Sequence, residues 1–142
     1  MDGPIVVGTD GSSSAAIAVN SAIEMAAAFS QPLHIVSAYH AARGGSDGVP
    51  SEYAELMRTS TEADTILVEA ERRAQAKGVQ TKTHPVDGDA ADAILDTAEA
   101  VNAALIVIGN KGMSSKKRFL LGNVPSKVVH HAPCSTYVVH TT

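Results

Sequence analysis

The sequence predicts one α/β domain built on an open, doubly wound sheet of five parallel strands with helices on both faces. Short apolar runs alternate along the chain with longer segments of helical periodicity, which is the pattern of parallel crossovers. The length of 142 residues suits one domain with a sizeable core and is too short for two domains of ordinary size. We therefore expect residues 1–142 to form a single domain with the strand order 3-2-1-4-5.

The first predicted unit is a strand, a helix and a second strand near the centre of the sheet. Residues 5–9 are short, apolar and β-branched, as expected of a strand that is covered on both faces. Ser12 can cap a helix whose apolar residues recur every three or four positions and which ends before Pro32. Residues 33–39 form the second predicted strand.

The middle of the chain predicts a long helix followed by an edge strand. Helical spacing runs from residue 51 to residue 77, and Gly78 occupies the position of a C-terminal cap. Residues 81–86 form the third predicted strand. Because Pro85 cannot donate to a hydrogen-bond ladder, this strand is expected at an edge of the sheet.

The last third of the chain completes the alternation. Asp89 can cap a helix, and the apolar run at 103–108 predicts a buried strand that leads into a glycine-rich loop. A short helix at 124–131 and a last strand at 135–140 follow. In such a sheet, ligands bind beyond the carboxyl ends of the strands, at the point where neighbouring crossovers leave on opposite faces.

That point lies between the first and fourth strands, which end at Thr9, Asp10 and Gly109. The loop that follows carries glycines at 109, 112 and 122, and glycine without a Cβ atom adopts positive φ and approaches a ligand closely. Successive N–H groups of Gly109, Gly112 and Gly122 can converge on an anion. The helix near Asn123 and Val124 adds unpaired N–H groups and the positive end of its dipole. We therefore predict a phosphate site.

Other interpretations of these residues remain open. The three glycines also suit plain turns between a strand and a helix, and Asp10 suits either a helix cap or a contact with a ligand hydroxyl. Residues 116–118 are basic, as in a solvated loop. We predict no metal site and no catalytic residue, because the chain has no nucleophile elbow and no spaced histidine and glutamate set.

Composition limits the class of partner and the compartment. The net charge of −4 disfavours a protein that binds nucleic acid through its overall field, and no basic amphipathic helix suggests a membrane surface. No apolar run approaches the roughly 20 residues of a membrane helix. Cys134 is the single cysteine and the start lacks signal-peptide features. We expect a cytoplasmic protein that binds neither nucleic acid nor membranes.

Three segments, taken together, resemble the universal stress protein family. They are the opening VVGTDGS at 6–12, the loop with Gly109, Gly112 and Gly122-Asn123, and the segment VPSKV at 124–128 followed by APC at 132–134. The resemblance covers essentially the whole chain. It implies an open α/β sheet, usually a homodimer, and the binding of adenine nucleotides, ATP foremost.

The resemblance also implies roles for particular residues. Asp10, next to Thr9, would contact the ribose, and the backbone at Ala38 would contact the adenine edge. The phosphates would be held by Gly109, Gly112, Gly122, Asn123 and Val124. The family has serine or threonine where this chain has Asn123. Asparagine caps a helix and donates to a phosphate, but it offers no hydroxyl to a metal, so the number of phosphates, a cyclic AMP ligand and the use of Mg²⁺ stay open.

The last strand predicts the assembly. The strand from Ser135 to His140 lies at an edge, is fairly apolar and contains no proline or lysine, so it favours antiparallel pairing with a second copy. The expected function is that of a homodimeric, ATP-binding regulator of stress or energy state with an unidentified protein partner. The alternatives are a nucleotide-independent interaction module and a cyclic AMP-binding protein. Any ATP hydrolysis should be slow.

Overall fold

The fold is an open parallel sheet covered on both faces by helices. The computed structural model describes residues 1–41, 59–111 and 121–142. The strands are β1 (Ile5–Gly8), β2 (Leu33–Tyr39), β3 (Thr81–Asp87), β4 (Leu105–Gly109) and β5 (Ser135–Val139). The helices of the described residues are α1 (Ser13–Phe29), α2 (Ser60–Ala76), α3 (Ala90–Ala100) and α4 (Asn123–His131). The five strands run in the order β3-β2-β1-β4-β5, which confirms the predicted fold class.

Strand β1 lies at the centre, and its side chains feed two separate cores. Ile5 pairs with Leu33 of β2 and with Leu105 of β4, and all three are buried on the face covered by α1 and α2. Val6 points to the opposite face, where Val36, Ala38, Ile106 and Ile108 pack against α3 and α4. Because both faces are covered, the central strands need apolar residues at every position, as the sequence pattern indicates.

Two predicted helix starts are confirmed by their capping bonds. Ser12 Oγ accepts a hydrogen bond from the Ala15 N–H at 3.1 Å and caps α1. An Asp89 carboxylate oxygen accepts one from the Asp92 N–H at 3.1 Å and caps α3. At the end of α2, Gly78 has φ +73°, the left-handed conformation that favours glycine after a helix.

The prediction of one helix from residue 51 to residue 77 is wrong. Thr59 has an extended backbone, with φ −82° and ψ 164°, and its Oγ1 accepts a hydrogen bond from the Glu62 N–H, so a new helix starts at Ser60. Residues 51–58 lie outside the described part of the chain. Apolar spacing does not reveal this break, because a threonine that bonds the backbone caps a helix instead of continuing it.

The start of α4 also differs from the expectation. Asn123 is the first helical residue and Gly122 is the N-cap, which forms no side-chain capping bond. Asparagine at position 123 therefore does not cap the helix. Strand β3 lies at an edge of the sheet, as Pro85 predicted, and its neighbour is β2.

Candidate functional site

A cavity of about 260 Å³ opens at the carboxyl ends of β1, β2 and β4. Helix α1 follows β1 and packs on one face of the sheet, whereas α4 follows β4 and packs on the other, so the cavity lies at the switch point of the sheet. Its lining comes from strand ends and helix starts. The residues are Gly8, Thr9, Asp10, Ser12, Ala15, Ala18, Val36, Ala38, Ala90, Ile94, Ile108, Gly109, Lys111, Asn123, Val124 and Pro125.

The structure brings most of the predicted site residues together at this cavity. The predicted residues that line it are Thr9, Asp10, Ala38, Gly109, Asn123 and Val124. Gly122 is not among the lining residues and directly precedes Asn123 as the N-cap of α4. Gly112 lies outside the described residues. Whether any of these residues contacts a ligand stays a prediction.

Sequence reasoning missed the lining that the helices provide. Ala15 and Ala18 of α1, with Ala90 and Ile94 of α3, line the cavity. Their spacing marks them as the buried face of a helix, and that signal is the same for a residue that packs on the sheet and for one that borders a cavity. The sequence carries no local sign that separates the two.

A tight turn after β1 holds Asp10 at the cavity. The Thr9 N–H donates to the Val36 carbonyl at 2.9 Å, and Thr9 Oγ1 accepts from the Gly11 N–H at 3.1 Å. Asp10 Oδ1 accepts from the Ser12 N–H at 2.8 Å. Gly11 has φ +81°, which few other residues tolerate. Asp10 therefore orients the capping residue of α1, while Ser12 itself provides the cap.

Gly8 allows α3 to approach the end of β1. A Cβ atom built on Gly8 would collide with Cδ1 of Ile94. Both residues line the cavity, so the absence of a side chain at position 8 lets the Ile94 side chain form part of its wall. A larger residue at position 8 would displace the Ile94 side chain and so change the shape of the cavity.

The prediction of positive φ at two loop glycines is wrong. Gly109 does not have positive φ, and Gly122 has φ −60°. At Gly109 the reason is space, because an added Cβ would lie 3.2 Å from Thr141 Cγ2 and 3.9 Å from Ala18 Cβ. Gly109 therefore allows close packing between the end of β4 and Thr141 in the chain after β5, with α1 at ordinary contact distance. The sequence pattern does not show this long-range contact.

Three helix starts meet at the cavity and give it a positive character. Ser12, Ala90 and Asn123 stand at the starts of α1, α3 and α4, and all three line the cavity. Helix N-termini carry partial positive charge and unpaired N–H groups. Side-chain oxygens cap α1 and α3, whereas Gly122 provides no such cap for α4. The start of α4 is therefore the end that best suits an anionic ligand.

Two lysines lie near these helix starts in different environments. Lys111 lines the cavity. Lys127 Nζ lies 2.8 Å from a carboxylate oxygen of Asp92 and 3.4 Å from one of Asp89, and the hydrogen bond to Asp92 is the largest cause of its raised pKa. These exposed ion pairs connect α4 to the start of α3, whereas Lys111 lines the cavity itself.

Comparison with known proteins decides the family. A model of the universal stress protein family matches residues 1–140. The chain belongs to the universal stress protein family. A universal stress protein of Mycobacterium tuberculosis is 36% identical over 142 residues, which covers 97% of this chain and 96% of that relative. The resemblance that the three segments indicated is thus confirmed.

Solved structures of universal stress proteins share the fold. One, a crystal structure in complex with cyclic AMP, is 35% identical with a TM-score of 0.75 and covers 99% of this chain and 98% of that chain. Another, from Archaeoglobus fulgidus in complex with dAMP, is 25% identical with a TM-score of 0.66 and covers 96% of this chain and 97% of that chain. Members of the family with this fold therefore occur with adenine nucleotides bound.

The described residues give little support for a metal site, a membrane-spanning helix or a nucleophilic cysteine. Among the described residues, no group of three or more histidine, cysteine, aspartate or glutamate side chains could hold a metal ion. Within the same ranges, no helix is long and apolar enough to cross a bilayer. Cys134 is partly buried against the core on the face covered by α3 and α4. Burial raises the pKa of its thiol, which makes it a poor nucleophile.

Proposed function

We propose that this universal stress protein binds an adenine nucleotide in the cavity between β1 and β4. One observation carries the proposal. The N-cap of α4 is Gly122, which provides no side-chain cap, and the first residues of the helix, Asn123 and Val124, line a cavity that also has an apolar side. A helix start of this kind suits a phosphate, and an apolar wall suits a purine ring.

The two ends of the cavity suit the two ends of a nucleotide. Val36, Ala38, Ile94 and Ile108 provide the apolar side, where the adenine would lie. The phosphate would lie at Asn123 and Val124, next to Gly109 and Lys111. Asp10 lines the same cavity just after the end of β1, and a carboxylate accepts hydrogen bonds from ribose hydroxyls. This arrangement agrees with the roles that the family resemblance implies.

ATP is the ligand that the resemblance favours, and cyclic AMP is a second candidate. The crystal structure of the 35% identical family member contains cyclic AMP, which has one phosphate. The cavity volume of about 260 Å³ is close to the lower end of small-ligand sites, roughly 300 Å³, and so favours a compact ligand. Asn123 provides an amide in place of the family hydroxyl, so we expect Mg²⁺ to be dispensable for cyclic AMP and to matter only for ATP.

Calorimetric titration tests the proposal directly. ATP, AMP, cyclic AMP and GTP are titrated into the protein, with Mg²⁺ and with a chelator. We expect saturable binding of adenine nucleotides, mutual competition among them and weaker binding of GTP. Heat within noise for ATP, AMP and cyclic AMP at near-millimolar nucleotide would contradict the proposal and favour a nucleotide-independent interaction module.

An isosteric variant locates the phosphate. Asn123→Asp places a carboxylate at the start of α4, where it repels phosphate but interacts favourably with the helix dipole, so the fold should be retained. We expect at least about tenfold weaker binding, from a like-charge penalty of roughly 1.4 kcal/mol or more. Asn20→Asp makes the same change on exposed α1, where Asn20 Oδ1 accepts from Arg73 Nη1 at 2.9 Å. Equal loss in both variants would place the phosphate elsewhere.

The proposal includes a homodimer formed through the last strand, from Ser135 to His140. Strand β5 pairs with β4 on one side, and Tyr137 and Val138 are 47% and 39% exposed. A second copy that pairs with this edge would bury both side chains. Regulation through a protein partner and a cytoplasmic location stay predictions. So does slow ATP hydrolysis, since a water that attacks a γ-phosphate needs a positioned base as well as charge neutralisation.

A further inference from the structure

Asn110 joins three parts of the chain that meet at the proposed nucleotide site. Its N–H donates to the Val139 carbonyl at 2.9 Å, and its own carbonyl accepts from the Gly122 N–H at 3.2 Å. Its side-chain oxygen Oδ1 accepts from both the N–H and the Oγ1 hydroxyl of Thr141, each at 2.9 Å. One residue therefore connects the end of β4, the N-cap of α4 and the chain that follows β5.

The bonds of Asn110 matter because this residue lies between two residues that line the cavity. Its neighbours Gly109 and Lys111 line the cavity, whereas Asn110 is not among the lining residues. Thr141 packs against Gly109, so closely that a Cβ atom on Gly109 would lie 3.2 Å from Thr141 Cγ2. A change at the cavity that moves Gly109 therefore meets Thr141 by direct contact as well as through the hydrogen bonds of Asn110.

We propose that Asn110 is a positioning residue that couples occupancy of the cavity to the order of β5. This inference rests on the proposed nucleotide function. A ligand held at Gly109 and Asn123 restricts the segments on both sides of Asn110, and the Asn110 side chain passes that restriction to Thr141 and the end of β5. Coupling between two binding events is reciprocal, so if nucleotide strengthens the binding of a partner at the edge of β5, that partner increases the affinity for nucleotide by the same factor.

The side-chain bonds of Asn110 can be removed without its main-chain bonds, so a variant can test coupling apart from local folding. An alanine at position 110 keeps both main-chain bonds, to Val139 and to Gly122, and among the described residues it removes the two bonds that Oδ1 accepts from Thr141. The strand pairing and the α4 start should therefore persist in this variant. What is lost is the link between the cavity and the chain end.

Amide hydrogen exchange of residues 135–141, with and without saturating ATP or cyclic AMP, measures the coupling. In the unmodified protein we expect nucleotide to slow this exchange about fivefold or more, a typical coupling factor. Asn110→Ala should bind nucleotide and show less than a twofold change. Asn20→Ala is the matched control, because it removes one side-chain hydrogen bond, from Arg73, away from the cavity, and it should show the full response.

A conservative variant distinguishes coupling from a merely structural role. Asn110→Asp keeps an oxygen that accepts both bonds from Thr141, so the response of β5 at saturating nucleotide should return, although the added charge weakens binding. If Asn110 only stabilises the fold, Asn110→Ala would raise exchange by the same factor with and without nucleotide, and that result would overturn the coupling. Should Asn110→Ala fail to fold, Thr141→Val removes one of the two bonds and should reduce the response in part.

The outcomes separate this inference from the function on which it rests. Absence of binding heat in the unmodified protein removes the nucleotide function and the coupling together. Normal binding with unchanged exchange at residues 135–141 removes the coupling and leaves the function intact. A reduced response in Asn110→Ala, restored in Asn110→Asp and unaffected in Asn20→Ala, supports the coupling.

Discussion

The two edge strands of the sheet, β3 and β5, differ in features that favour or oppose pairing with a strand of another chain. Each pairs with one neighbour, β2 or β4, through a parallel ladder. Strand β3 carries the exposed residues Lys82 and Pro85, which are common features of edges that resist pairing. Strand β5 contains neither residue type and exposes Tyr137 and Val138.

Strand β3 is also fixed to its neighbour by side chains. His34 Nδ1 of β2 and His84 Nε2 of β3 lie 2.8 Å apart, at hydrogen-bond distance, and the ring centroids are 5.1 Å apart. Burial is the largest cause of the lowered pKa of both histidines, and the charge of Lys82 adds to it. The His84 side chain of β3 thus contacts the neighbouring strand β2, whereas Tyr137 and Val138 of β5 are exposed.

The proposed homodimer depends on which edge resists pairing. In this sense we call the edge of β3 closed, because it carries Lys82 and Pro85, and the edge of β5 open. A two-fold axis at β5 would close the proposed assembly as a dimer. Changing one edge at a time tests this difference. The largest effect is expected at β5.

Tyr137→Lys should convert the proposed dimer into a monomer. A lysine on the open edge of β5 must be desolvated if a second copy pairs there, and loss of a central aromatic residue weakens interfaces by about 2 kcal/mol or more. We expect the dimer dissociation constant to rise about 30-fold or more, measured by light scattering over a concentration series. A monomeric unmodified protein at high micromolar concentration would contradict the homodimer itself.

Thr83→Lys on β3 is the matched control for that change. Thr83 pairs with Ile35, and Tyr137 pairs with Val107. Both partners belong to the core on the face covered by α1 and α2, so Thr83 and Tyr137 lie on the same face of the sheet. The same lysine at the closed edge should leave the molecular mass unchanged. Dissociation by Thr83→Lys, without dissociation by Tyr137→Lys, would move the interface to β3.

The histidine bond of β3 predicts a stability that falls in acid. The folded-state pKa values of His34 and His84 are lowered, so the unfolded chain binds more protons as the pH drops through the ordinary histidine value of 6.5. The contribution of these two histidines to stability is therefore present above that pH and is lost as the pH falls below it. Urea unfolding between pH 7.5 and about 5 measures this loss. His34→Gln should flatten the profile.

Much of the fold follows from local chemistry that the sequence displays. Continuous apolar runs predict the central strands, and the caps Ser12 and Asp89 predict two helix starts that the structure confirms. Pro85 predicts an edge strand because its missing N–H is a property of one residue. Each of these signals acts over a few residues, so no knowledge of the rest of the fold is needed.

The parts that the sequence does not reveal depend on distant contacts or on competing local bonds. Thr59 accepts a hydrogen bond from the Glu62 N–H and so starts a new helix, which the spacing of apolar residues does not reveal. Gly109 packs closely against Thr141, 32 positions further along the chain, and does not have positive φ. The side-chain bonds of Asn110 involve the same distant residue. Most of the predicted site residues line one cavity, whereas the helical wall of that cavity and the contacts with Thr141 became visible only in the structure.

The smallest expected effect tests how firmly the end of β5 is attached. Thr141→Val removes the hydroxyl that donates to Asn110 Oδ1 and keeps the shape of the side chain and the main-chain N–H that donates to the same oxygen. One hydrogen bond of this kind contributes about 0.5–1 kcal/mol to the free energy of unfolding, so thermal unfolding should shift down by a few degrees. Thr142→Val, at the neighbouring exposed position, should not shift it. Equal shifts in both variants would mean that the Thr141 hydroxyl adds nothing to the attachment of β5, which would then rest on the ladder with β4 and on the bonds that the N–H groups of Asn110 and Thr141 donate.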